Sequence, residues 1–167
     1  LDEKNVTYEE FSQELLLKKT VDEIAASKVV GWFQGCMEWG PRALGNRSIL
    51  AHPGSSGMKD ILNARIKHRE EFRPFAPAVL SERQSEIFEN AHPSPHMLHV
   101  YKIRSNWQER LQAVNHVDNT GRIQTVSRAS NPLFYALIKE FDALTGIPVL
   151  LNTSFNENEP IVCNPAE

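Results

Sequence analysis

The sequence predicts an α/β (α+β) domain in which helices lie against an open sheet, and three observations carry that expectation. The run Ile147-Pro148-Val149-Leu150-Leu151 is short, wholly apolar and placed just after a helix stop at Gly146, the pattern of a buried strand. The stretch before it reads as the best helix of the chain. Asn131 and Pro132 are its cap and first residue, Phe134, Leu137, Ile138, Phe141 and Leu144 form a buried stripe, and Gly146 closes it. Two more apolar runs, Val29-Val30-Gly31-Trp32-Phe33-Gln34 and Ser48-Ile49-Leu50-Ala51, supply further strands. With 167 residues, 41% hydrophobic and 23% charged, the chain has enough apolar material for one globular core.

The elements follow in order. Thr7-Tyr8-Glu9-Glu10 fits a capping box opening a helix to about Leu17, and Thr20-Val21-Asp22-Glu23 repeats the device. After the strand at 29–34, residues 35–48 hold three Gly and one Pro, a loop whose backbone can approach a ligand closely. Residues 52–57 form a turn, and Met58, Ile61, Leu62 and Ile66 give helical spacing as far as Lys67. Pro74 and Pro77 predict a loop and exclude a central strand position, with a strand resuming near Ala78. A short helix is expected from Ser81 to Asn90, capped by Ser81 and Gln84, then a rigid connection at 92–95 and a strand from Met97 to Arg104. Residues 105–115 are polar and take no assignment. Residues 116–126 read as a turn followed by one alternating strand.

The net charge of −3 provides no global field for nucleic acid, which argues against a nucleic-acid partner, although a local basic patch stays open. Cys36 and Cys163 form no C-x-x-C pair. Without a signal peptide, a reduced cytoplasmic compartment is expected. No apolar stretch is long enough to cross a bilayer, so no membrane partner is expected. The start at Leu1 and the end at Pro165-Ala166-Glu167, where a helix would open, give the expectation of a piece of a longer protein.

The chemistry concentrates in a few places. Ser154 and Asn156 follow the apolar strand with alternating spacing, so they share a face at its carboxyl end, where open α/β sheets bind ligands. They either cap a turn or hydrogen-bond phosphate or carbonyl oxygens. Lys67, Arg69 and Arg73 fit either a solvated basic turn, with Glu70 and Glu71 among them, or an anion clamp. Arg42, held between Gly40-Pro41 and Gly45, is a more specific candidate, and Arg122 after Gly121 is either a hairpin residue or another. His96-x-x-His99 on a strand would point its rings to opposite faces, which argues against zinc, and no metal ligands are assigned. No P-loop, G-x-G-x-x-G or G-x-S-x-G occurs, so a nucleotide would be held by dispersed side chains. The residues point to an anion site for a nucleotide and a phosphorylated small molecule.

Longer motifs add a resemblance. Residues 31–35 with 40–50, 65–69 with 72–77, 94–97, 120–126 and 148–156 resemble, in order, the C-terminal domain of NodU/CmcH-type O-carbamoyltransferases. That domain is similar to the YrdC-like fold, which implies a twisted mixed sheet flanked by helices. YrdC-like proteins carry a Lys-x-Arg and a Ser-x-Asn pair at their nucleotide site, matched here by Lys67-x-Arg69 and Ser154-x-Asn156. The resemblance implies a domain over 29–167, truncated at its C-terminus, with 1–28 a helical lead-in from a missing N-terminal domain. It implies formation of carbamoyl-adenylate from ATP and carbamoyl phosphate, with release of pyrophosphate and phosphate. A separate N-terminal Kae-like domain of the same polypeptide, holding iron or another metal, would pass the carbamoyl group to a hydroxyl. Full transfer is not expected from this chain alone.

Under that resemblance Lys67, Arg42 and Ser154 are the catalytic candidates. Arg42, Lys67, Arg69, Arg73, Arg122, Ser154 and Asn156 would contact ATP or carbamoyl phosphate. Met97 is either an apolar wall beside the adenine or a core residue. Mg²⁺ would accompany ATP, held by phosphates and waters. Asn158 stands where many members have Gly and tolerates the left-handed backbone of that turn. The alternative is a nucleotide- or RNA-binding module related to tRNA threonylcarbamoyl modification.

Overall fold

The computed structural model describes residues 7–70, 72–157 and 160–164. Glu71, Asn158 and Pro165-Ala166-Glu167 lie outside these, and with them the turn expected at Asn158 and the helix start expected at Pro165. The first helix opens later than the capping boxes suggest. Helix α1 spans Gln13–Ala25, and Ser12 Oγ accepts from Leu15 N–H at 3.3 Å. Ser12 prevails because the face it introduces, Leu17, Thr20, Val21 and Ile24, is buried, whereas residues 7–10 are exposed. Thr20 starts no second helix. It lies inside α1, where Oγ1 donates back to Leu16 O at 2.8 Å.

Strands β1 (Val30–Phe33), β2 (Arg47–Ala51) and β3 (Ala76–Leu80) come next, with α2 (Met58–Ile61) between the last two. A π turn, Leu62–Ile66, continues α2 and closes with Lys67 N–H donating to Leu62 O at 2.8 Å. After β3 a 3₁₀ turn, Ser81–Arg83, leads into α3 (Gln84–Ile87). The expected Ser81–Gln84 cap does not form. Ser81 Oγ donates to the Glu82 carboxylate at 3.2 Å, and Gln84 Oε1 is buried without a partner. The helix also stops short of Asn90, because Phe88 turns extended to bridge Ile103.

Strand β4 is only Val100–Lys102, since Met97, at φ 57°, breaks the extended run expected from that residue onward. This also removes the premise that His96 and His99 lie on one strand. The polar stretch after it forms α4 (Ser105–Gln108) and a 3₁₀ turn, Glu109–Leu111, anchored by buried Trp107 and Leu111. The single strand expected up to Val126 is two. Strand β5 (Thr120–Arg122) pairs with β4 in a small sheet, and β6 (Gln124–Val126) joins the main one. The chain changes sheets at Ile123, which is fully buried.

Helix α5 (Pro132–Thr145) and strand β7 (Val149–Ser154) complete the helices and strands of the described residues. The main sheet has the order β1-β2-β7-β3-β6, antiparallel except for β3 and β6. The expected mixed sheet with helices is therefore present, and β7 is its central strand. Pro77 does occupy an interior strand, against the sequence expectation. Leu80 N–H donates to Pro148 O on the β7 side, so alternation turns the Pro77 nitrogen the other way, towards β6. Pairing with β6 starts only at Ala78↔Gln124, so no ladder bond needs the missing N–H.

Helix α5 packs Phe134, Leu137, Ile138 and Phe141 into the core. Leu144 leaves the expected stripe and is 57% exposed, because the last turn of α5 faces an open groove against α1. Gly45, at φ 108°, lies against the Phe134 ring, where a Cβ would collide with it. That close approach seats the 35–46 loop at the end of the central strands.

Candidate active site

The site starts from the end of β7. Asn152 is still buried in the sheet, and the last two residues, Thr153 and Ser154, reach its rim with partial exposure. The π turn brings Lys67 to the same place. The Lys67 side chain is 5% exposed, and Nζ donates to Ser154 O at 2.6 Å, Asn156 O at 2.7 Å and Asn156 Oδ1 at 2.8 Å, with Ser154 Oγ at 3.3 Å. Ser154 Oγ in turn donates to Asn156 Oδ1 at 2.6 Å. Strand β7 ends at Ser154, so Asn156 is not on it, yet Lys67 holds the two side chains together.

His68, between Lys67 and Arg69, has φ 44°. That left-handed step separates its neighbours. Lys67 turns to the strand end, while Arg69 Nε donates to Asn63 Oδ1 at 2.8 Å and the guanidinium lies 4.8 Å from the Phe75 ring centroid. Arg69 shows no ion pair with Glu70, and Glu71 lies outside the described residues.

Two adjoining recesses share Arg42, Arg69, Pro74, Phe75 and Arg122 on their walls. The inner one is floored by Asn152, Thr153 and Ser154 and bounded by Ala43 and Met97. The outer one, of about 380 Å³, adds Arg73, Val100 and His116 and is of small-molecule size. The structure thus brings Arg42, Arg69, Arg73, Met97, Arg122 and Ser154 to one cleft. Lys67 and Asn156 do not line it; they brace its floor from behind. Met97 is both a wall and a core residue, 4% exposed and in left-handed conformation.

Among the described residues, no carboxylate pairs with Arg42, Arg69, Arg73 or Arg122. Burial and neighbouring cations act on two of these groups. Burial, then Arg42 and Arg69, hold the Arg122 guanidinium below its ordinary value. Burial, then Arg73, do the same to Arg69, with Glu70 opposing. Guanidinium groups stay charged regardless. Cations crowded without counter-charge are relieved by a bound anion, and a polyanion relieves several at once.

His116 and Asn152 were not singled out from the sequence as ligand contacts. His116 Nδ1 lies 3.0 Å from Thr120 Oγ1, which donates to Asp118 Oδ1 at 2.7 Å. Thr120 Oγ1 must therefore accept from Nδ1–H, leaving Nε2 as a buried acceptor without a partner. Burial lowers the His116 pKa first; Asp118 raises it, and Arg122 and Lys59 lower it further. Nothing local in the sequence marks His116, whereas Asn152 lies two residues before Ser154 on β7 and so shares its strand face.

Among the described residues, no helix is long and apolar enough to cross a membrane. Comparison with known families finds a match to the family described as the carbamoyltransferase C-terminus over residues 21–167. Nodulation protein NolO of Bradyrhizobium diazoefficiens is 48% identical over 88% of this chain and 28% of its own length. Nodulation protein U of the same species is 50% identical over 80% of this chain and 23% of its own. An uncharacterized Synechocystis protein is 45% identical over 96% of this chain and 29% of its own. The chain thus spans less than a third of the length of these curated relatives.

Proposed function

The chain belongs to the carbamoyltransferase C-terminus family, and from that premise we propose that its arginine cleft activates a carbamoyl group with ATP. Carbamoyl phosphate and water give carbamate and phosphate. A carbamate oxygen then bonds to the α-phosphorus of ATP, the bond to the β-phosphate bridge breaks, and pyrophosphate leaves. Carbamoyl-adenylate remains for transfer to a hydroxyl acceptor by another domain of the longer polypeptide. Its place of action would be the cytoplasm, where both substrates are made.

The observation that supports this reading most is the set of cleft arginines without carboxylate partners, placed over the end of the central strand. Both proposed substrates are polyanions, and charge builds on the phosphates as the pyrophosphate leaves. Arg42 and Arg122 would neutralise that charge, Arg69 and Arg73 would orient the outer phosphates, and Ser154 would hydrogen-bond an oxygen at the floor. Lys67 and Asn156 would hold Ser154 in register. This is catalysis by positioning and electrostatics, with no protein nucleophile. The walls offer guanidinium groups rather than carboxylates, so Mg²⁺ would come with the nucleotide, ligated by phosphates and water.

The test is carbamoyl-phosphate-dependent pyrophosphate release by the full-length polypeptide. Arg42→Ala and Arg122→Ala should each lower it by about 100-fold or more. Release unchanged in both variants would remove these residues from the chemistry.

A further inference from the structure

We propose that the side-chain oxygen of Asn152 accepts a hydrogen bond from the carbamoyl NH₂ and so selects carbamoyl phosphate over acyl phosphates. The inference rests on the reading of the cleft given above.

Asn152 sits in the middle of the main sheet, paired with Leu50 on β2 and Ala76 on β3, and is 1% exposed. Its amide orientation is fixed by a chain of contacts. Nδ2 donates to Ala43 O at 3.0 Å and to Gln124 Oε1 at 2.8 Å. Gln124 cannot turn over, because its Nε2 donates to Leu44 O at 2.8 Å. Reversing Asn152 would set its oxygen against two acceptors. The oxygen must therefore face away from Ala43 and Gln124, and there Oδ1 is buried with no partner.

The residue that carries this orphan acceptor lines the inner recess together with Arg42, Arg122 and Ser154. A buried unsatisfied acceptor calls for a donor. A fully ionised phosphoryl group cannot be that donor, since its oxygens only accept. The ligand must carry negative charge for the guanidinium groups and a donor hydrogen for Asn152. Carbamoyl phosphate carries both, with its NH₂ one carbonyl carbon away from the phosphate ester oxygen. Acetyl phosphate has the same shape but presents a methyl group, which would leave Oδ1 desolvated and unpaired. Sites that hydrogen-bond a substrate N–H reject analogues lacking it far more strongly than apolar pockets reject small changes of size.

The experiment is competition in carbamoyl-phosphate-dependent pyrophosphate release by the full-length polypeptide, with acetyl phosphate and inorganic phosphate as inhibitors. Acetyl phosphate should bind about 10- to 100-fold more weakly than carbamoyl phosphate and no better than inorganic phosphate. Asn152→Leu, provided that it melts like the wild type, should raise the KM for carbamoyl phosphate towards the acetyl phosphate value and leave the KM for ATP within about twofold. If Asn152→Leu does not fold, the wild-type competition series decides alone. Equal affinity for the two acyl phosphates, or discrimination retained in a folded Asn152→Leu, overturns the inference while release continues. Absence of any release by the wild type would instead overturn the reading of the cleft, and the inference with it.

Discussion

Replacing Lys67 by Met removes a buried cation while keeping most of its apolar stem. The wild-type ammonium has three short contacts, to Ser154 O, Asn156 O and Asn156 Oδ1 at 2.6, 2.7 and 2.8 Å. Hydrogen bonds from a charged donor contribute about 1.5–3 kcal/mol each, and leaving a buried neutral acceptor unsatisfied costs about 1–3 kcal/mol. Ser154 and Asn156 are half-buried, so water recovers part of the loss, and the net destabilisation should be about 3 kcal/mol. For a domain of this size that lowers Tm by roughly 6–12 °C. The effect should be local as well. The Phe155 amide, which donates to Arg47 O at 2.9 Å beside the lost cation, should exchange with solvent about 100-fold faster. Calorimetric unfolding and amide hydrogen exchange of Lys67→Met measure both. A Tm within about 2 °C of wild type, with unchanged exchange at Phe155, would refute the claim that Lys67 fastens the strand end.

Three other outcomes are expected. Asn131→Ala should destabilise the fold by about 1–3 kcal/mol in denaturant titration, more than a simple cap, because Asn131 Oδ1 accepts from Phe134 N–H at 3.2 Å and Gln34 Nε2 at 2.7 Å. Burial lowers the pKa of His52 and, with Arg122 and Lys59 adding to it against Asp118, that of His116. The unfolded chain therefore takes up protons first, and stability measured against pH should be full above about 6.5 and decline as pH falls below it. Filter binding with tRNA should show only weak association that is lost by physiological salt; binding that persists there would favour the nucleic-acid alternative.

Where several local signals agree, the sequence foretells the structure. Around α5 the Asn131 cap, the Pro132 start, the apolar stripe to Phe141 and the Gly146 stop all point the same way, and each is present. Strand β7 was legible for a similar reason: an apolar run that short, after a helix stop, fits little except a central strand. Isolated signals misled. The Thr7 and Thr20 boxes were sound locally, but burial of Leu17, Val21 and Ile24 decided where α1 begins. The missing N–H of Pro77 argues against an interior strand, but its tolerance depends on which neighbour that position faces. The site divides likewise. Residue types and loop chemistry marked Arg42, Arg69, Arg73 and Arg122 separately, but their meeting over β7 is a consequence of strand order, which pattern does not encode. That Lys67 lies behind the cleft rather than in it follows from the left-handed backbone at His68, a conformation that a histidine gives no warning of.

The most direct measurement is a crystal structure of the full-length polypeptide with a non-hydrolysable ATP analogue and carbamoyl phosphate. The account predicts the phosphate chain within hydrogen-bond reach of Arg42 and Arg122, with the carbamoyl group over Ser154 and Asn152. Phosphates seated elsewhere, with the four guanidinium groups still facing solvent, would contradict it.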